Sequence, residues 1–96
     1  MNKTNTKPVK HSRRKTDVQR ERICQVVLHN DDVNSAEYVV KCLQTVFVLN
    51  MELAAKIMME AHQAGRSIAE VEPEPLAIEH RDQLRSYGLS ATVEPI

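Results

Sequence analysis

Aromatic side chains are scarce: 96 residues hold no tryptophan, two tyrosines and one phenylalanine. Valine, leucine, isoleucine, alanine and methionine must therefore fill the interior. A chain of this length forms one domain by default, and a domain this small buries a modest core. The two cysteines, Cys24 and Cys42, are too few for a disulfide framework. Neither sits in a CxxC pair or near a second set of His and Cys ligands, so no zinc site is expected and both read as small buried apolar residues. No apolar run approaches the roughly 18 residues of a membrane-spanning helix. The N-terminus lacks the apolar stretch of a secretory signal. A reducing cytoplasm is the expected compartment, with a basic transit peptide as the alternative. There is no phosphate-cradling loop and no Ser or Cys paired with a base at a motif spacing, so neither a catalytic residue nor a cofactor is expected.

A net charge is missing too, but only on average. Residues 1–22 hold eight Lys and Arg against Asp17 and Glu21, which makes this piece +6; the remainder holds five basic and eleven acidic residues and is −6. A basic tail on an acidic domain is a different object from a neutral protein. Residues 1–21 contain two valines and one methionine as their only large apolar side chains. Such a segment cannot bury enough surface to offset its ordering entropy. It is read as a flexible, disordered basic extension, and residues 22–96 as the folded core. The cluster from Lys10 to Lys15 has no interleaved aromatic residue, so a nucleic-acid partner is not expected.

What the chain does contain is organised around Val26-Val27-Leu28-His29-Asn30-Asp31-Asp32. A short β-branched and aliphatic run reads as a buried strand, and Asn-Asp-Asp ends it with turn-forming side chains rich in acceptor oxygens. A helix follows, with Asn34 placed to cap it and Glu37 three residues on. Its apolar positions are Val39, Val40, Leu43, Val46 and Phe47. A second helix starts after Asn50, with Met51, Ala54, Ala55 and Met58 as the buried stripe and His62 continuing it; Gly65 ends it. Ser67 to Val71 reads as a strand. Pro75 suits the first position of a third helix, Leu76 to Tyr87, closed by Gly88. Leu89, Ala91 and Val93 alternate as in a last strand. The order β-α-α-β-α-β fits an α+β two-layer domain, three helices on a three-stranded antiparallel sheet. If the acceptor cluster of residues 30–32 meets His62, the two form a small amine-binding site.

The segments Val27-Leu28-His29-Asn30-Asp31-Asp32, Glu37-Tyr38-Val39-Val40 and Ala54-x-x-Ile57-Met58-x-x-Ala61-His62-x-x-Gly65-Arg66-x-Ile68 resemble the ClpS family. These adaptors of the N-degron pathway hand proteins with certain N-terminal residues to the unfoldase ClpA or ClpC. The likeness covers residues 24–72 well and the last twenty loosely. It implies that Asn30, Asp32 and His62 hold a ligand's α-amino group, with Asp31 on the same rim. An α-ammonium carries three N–H donors; an amide oxygen, a carboxylate and a neutral imidazole supply three acceptors. Charge-assisted bonds of this kind are worth about 1.5–3 kcal/mol each. The resemblance also implies an apolar side-chain pocket lined by Val39, Met58, Ala61 and Leu89, with Asn34 and Ala36 at its mouth. Such a pocket selects N-terminal Leu, Phe, Tyr or Trp. Binding is expected to be best near neutral pH, where an amine is protonated and an imidazole is not.

Three departures from the family pattern carry expectations. Ala36 stands where many members have a gating methionine, and Ala61 where a valine is common, so the pocket is wider and open to β-branched ends. Pro75 and His80 stand where bacterial members often carry charged residues that contact the unfoldase, and the chain is about four residues shorter before its last strand. The implied function is a non-enzymatic adaptor that recognises N-degrons and delivers them to the N-domain of a ClpA- or ClpC-type unfoldase. The alternatives are a metal- or acid/base-dependent enzyme built on Asp31, Asp32 and His62, and an interaction module of the same fold without N-degron specificity.

Overall fold

A computed structural model describes residues 21–96. The expectation for residues 1–20 lies outside the described residues. The elements run β1 (Ile23–His29), α1 (Ala36–Phe47), α2 (Met51–Ala64), β2 (Arg66–Pro73), α3 (Glu74–Ser86) and β3 (Ala91–Pro95), the β-α-α-β-α-β order expected. The sheet order is β2-β1-β3, and both pairings are antiparallel.

β1 is central because its sequence tolerates burial on both faces. Cys24, Val26 and Leu28 point into the helix layer, and Val27 between them is equally sealed, flanked in register by Ile68 and Thr92. Pairing with β2 slips between Val26 and Val27: Val26 faces Glu70 and Val27 faces Ile68, leaving Ala69 as an extra residue. A bulge of this kind bends the strand and increases its twist just before the chain leaves the sheet.

The helices cover one face of the sheet. Val39, Cys42, Leu43 and Val46 of α1, Ala54, Ile57 and Ala61 of α2, and Ala77 and Leu84 of α3 form one core with β1. Cys24 and Cys42 are buried free thiols, as read from the sequence. Among the described residues, no helix is long and apolar enough to cross a membrane.

Two local expectations are corrected. The N-cap of α1 is Ser35, whose hydroxyl accepts from the Tyr38 N–H at 3.2 Å, and not Asn34. Asn34 is withdrawn from capping because its side-chain amide is held by the Asp31 carboxylate and the Gly88 carbonyl. On α2, the buried stripe is Ala54, Ile57 and Ala61; Met51 and His62 are exposed, and Ala55 and Met58 half-buried. The expected stripe lies one flank over. Periodicity places both sets on helical faces, and the small side chains at 54 and 61 let α2 approach the sheet on theirs.

The other punctuation is as read. Asn50 caps α2 by accepting from the Leu53 N–H at 2.8 Å, and Gly65 ends it at φ 90°. Pro75 lies in the first turn of α3, and Gly88 at φ 89° turns the chain out of that helix. Leu89 then folds back into the core before β3 begins.

Candidate functional site

The acceptor cluster follows the last residue of β1. Asn30 is fixed by its own backbone, whose N–H donates to the Gly65 carbonyl at 3.0 Å. Gly65 caps α2 three residues beyond His62. This one bond ties the end of the central strand to the end of the helix that carries the histidine, so residues thirty apart in sequence meet at one rim.

Between Asn30 and α1 the chain turns around Asp31. One carboxylate oxygen, Oδ1, accepts from the N–H groups of Val33 and Asn34 at 2.8 and 2.9 Å, and Oδ2 accepts from the Asn34 side-chain amide at 2.6 Å. The same Asn34 amide nitrogen donates to the Gly88 carbonyl at 3.1 Å. One turn on, the Tyr38 hydroxyl donates to the Tyr87 carbonyl at 2.7 Å. Carbonyls at the end of a helix lack helical partners; those at the end of α3 serve here as anchors for the loop. Burial draws the Asp31 carboxyl up, but the hydrogen bonds from Asn34 and Val33 outweigh it and hold it below the usual carboxylate value.

Asp31 is therefore largely occupied inside the loop, while its neighbours are not. The Asn30 amide nitrogen donates to Asp32 Oδ1 at 3.3 Å. Among the described residues, no protein donor bonds the Asn30 side-chain oxygen, the second Asp32 oxygen or the ring of His62. His29, beside them, has its ring nitrogen Nε2 within 2.8 Å of the Thr92 hydroxyl.

A cavity of about 370 Å³ opens at this rim. Of the ten residues singled out in the sequence, eight line it: Asn30, Asp31, Asn34, Ala36, Val39, Met58, Ala61 and His62. Asp32 stands exposed outside it, one residue along the loop, and Leu89 lies in the core with 4% of its surface exposed. Leu28, His29 and Met59 also line the cavity. Leu28 and His29 were legible as the last turn-side residues of β1; nothing in the sequence distinguished Met59 from other exposed helix positions.

Chemically, the cavity has a polar end and an apolar end. Acceptors at the rim suit a cation with several N–H donors, and Leu28, Val39, Met58 and Ala61 offer an apolar wall next to it. No group of three or more His, Cys, Asp or Glu able to hold a metal ion occurs among the described residues.

Comparison with known proteins gives consistent results. The family model for the "ATP-dependent Clp protease adaptor protein ClpS" matches residues 19–92. The ATP-dependent Clp protease adapter protein ClpS of Synechococcus elongatus is 47% identical over 75 residues, which cover 74% of this chain and 76% of that protein. The chloroplastic adapter protein CLPS1 of Arabidopsis thaliana is 42% identical over 72 residues, 74% of this chain and 45% of the longer plant protein. Among solved structures, Agrobacterium tumefaciens ClpS2 bound to L-phenylalaninamide superposes with a TM-score of 0.70 at 30% identity, covering 80% of this chain and all of that one.

Proposed function

Because the chain belongs to the ClpS family of Clp protease adaptors, we propose that it binds proteins by a free N-terminal residue and delivers them to a Clp unfoldase. The observation that carries this reading is the single cavity in which Asn30 and His62 meet an apolar wall of Leu28, Val39, Met58 and Ala61. A peptide amine enters at the acceptor end and the first side chain fills the apolar end. Asn30 and His62 accept from the ammonium directly; Asp32 adds a carboxylate at the rim. Asp31 acts one step back, holding the loop in shape with three hydrogen bonds.

Chain middles are rejected by the same chemistry. An internal or acetylated amide has no positive charge and at most one N–H, so it leaves acceptors unpaired, and that is costly. L-phenylalaninamide, the compound bound to the Agrobacterium relative, combines a free α-amine with an aromatic side chain, the two features this cavity accommodates. The preferred ends are Leu, Phe, Tyr and Trp, extended by Ala36 and Ala61 toward β-branched Ile and Val. The chain acts without catalysis and without a cofactor. Its partner is the N-domain of a ClpA- or ClpC-type unfoldase, reached through the α3 side. There His80 pairs with Glu72 at 2.7 Å and packs edge-on against Phe47, an arrangement that differs from a free surface cation. The compartment is the cytoplasm or its plastid counterpart.

Fluorescence anisotropy with peptides that differ only at residue one, each with a free and an acetylated N-terminus, tests the reading. Free Leu and aromatic ends should bind at micromolar concentration or tighter, lose binding on acetylation, and lose at least tenfold in His62→Ala, about the worth of one charge-assisted bond. His62 is exposed, so the variant should melt with the wild type. Equal affinity for free and acetylated peptides would refute the amine site.

A further inference from the structure

A second and larger groove adjoins the amine cavity. It runs between α1 and α2 with a volume of about 660 Å³. Ala36, Val40 and Gln44 form one wall, and Met51, Ala55 and Met58 the other. Both helices turn their neighbouring flanks to the sheet, with Val39, Leu43 and Val46 on α1 and Ala54, Ile57 and Ala61 on α2. What remains between them is closed poorly, because the facing residues Ala36 and Ala55 have short side chains. Val40, Ala55 and Met58 are left half-buried, and Met51 is 66% exposed.

Ala36 and Met58 line both the groove and the amine cavity. The two depressions thus adjoin at these residues, and a ligand leaving the first across that border meets the second. Spacing fits one kind of occupant. In an extended peptide, alternate side chains share a face and stand about 6.6 Å apart. Four residues of α-helix rise about 6.0 Å, so Ala36 and Val40 are separated along α1 by nearly the same step. A peptide whose first side chain occupies the amine cavity, running along α1, places its third side chain over Val40, Ala55 and Met51. The second points away from the groove.

We propose that the α1/α2 groove is a second side-chain subsite for the N-terminal peptide, taking an apolar residue at the ligand's third position. This rests on the amine reading of the adjoining cavity. Once the amine is held, the third residue is delivered to the groove at high local concentration. Val40, Met51, Met58 and the two alanines give the walls aliphatic and thioether surface, so Leu, Ile or Met suits them, while Glu37 and Lys41, of opposite charge, also line the groove. The open groove half-buries such a side chain, which corresponds to about fivefold in affinity relative to Ala.

The test uses the full chain and a peptide series with Leu at residue one and Leu or Ala at residue three, each free and acetylated, plus a control with the second Leu moved to residue two. Anisotropy should show Leu at residue three about fivefold tighter than Ala, with no gain for Leu at residue two. Met51→Glu and Val40→Thr should erase the residue-three preference while leaving the residue-one preference and the acetylation effect intact. Met51→Glu is safe for folding, because an acidic residue in the first turn suits the helix dipole. Indifference to residue three with acetylation still abolishing binding overturns the subsite and spares the amine site. A residue-three preference undiminished in both variants overturns it too. Peptides that bind equally well when acetylated overturn the amine reading and the subsite together.

Discussion

Asp31→Asn separates a residue that shapes the loop from one that touches the ligand. In the native loop, Asp31 Oδ1 serves the Val33 and Asn34 N–H groups and Oδ2 serves the Asn34 amide at 2.6 Å. Asparagine keeps an oxygen for the two N–H groups but sets an NH₂ against the Asn34 NH₂. One charge-assisted bond is lost and two donors face each other. Such a bond is worth about 1.5–3 kcal/mol; the loop is partly exposed and water replaces some of the loss, so the low end, about 1.5 kcal/mol, applies. The pH dependence identifies the cause. Asp31 is drawn up by burial and brought below its ordinary value by its hydrogen bonds from Asn34 and Val33. A carboxyl lowered on folding contributes stability that is fully present above the unfolded pKa of about 3.9 and is lost as pH falls through the folded value. Urea unfolding of wild type and Asp31→Asn should therefore differ most near neutral pH, and the difference should shrink below about pH 3.9, where the wild type itself takes up the proton. A difference of the same size at neutral pH and near pH 3, or none at neutral pH, would refute the assignment of Asp31 to the loop.

Two more predictions concern single side chains. Val48, the C-cap of α1, has φ 53° and ψ 49°, is 89% exposed, and is the one non-glycine residue at positive φ among the described residues. A β-branched residue costs about 1–2 kcal/mol there and glycine about 0.5–1 in chain entropy, so Val48→Gly should stabilise by about 0.5–1 kcal/mol, a rise of a few degrees in Tm; an unchanged or lower Tm contradicts this. Ala36 lines both depressions, so Ala36→Met should narrow the first pocket and favour Leu and aromatic ends over Ile and Val at residue one. Wild type that binds Ile and Val ends no better than the variant would show that residue 36 is not a gate.

The strands and helices were legible because their signals are local. Val26 to Leu28 is an unbroken apolar run closed by three turn residues, and Asn50, Gly65, Pro75 and Gly88 mark element ends by side-chain or backbone chemistry that depends little on context. The errors arose where two neighbours offered equivalent chemistry. Asn34 and Ser35 both cap helices well, and only the three-dimensional capture of Asn34 by Asp31 hands the role to Ser35. On α2, alanine, isoleucine and methionine occupy more than one face, so spacing defines a helix without saying which flank meets the sheet. The cavity's polar end was readable from the acceptor cluster and His62. Its tie to Tyr87 and Gly88 was not, because main-chain carbonyls are the same at every residue.

Glycine is nearly as rare in this chain as tryptophan: there are two, Gly65 and Gly88. Each ends a helix at positive φ, and each lends its carbonyl to the loop at the cavity rim, Gly65 to the Asn30 N–H and Gly88 to the Asn34 amide. A methyl group added at either would meet no atom within 4 Å, so an alanine there is resisted by backbone conformation alone. A selection for variants that stay folded but stop binding should thus return these two positions, although neither lines the cavity. Where the helices stop and where a ligand is gripped are written in the same two residues, and the chain cannot mutate one decision without reopening the other.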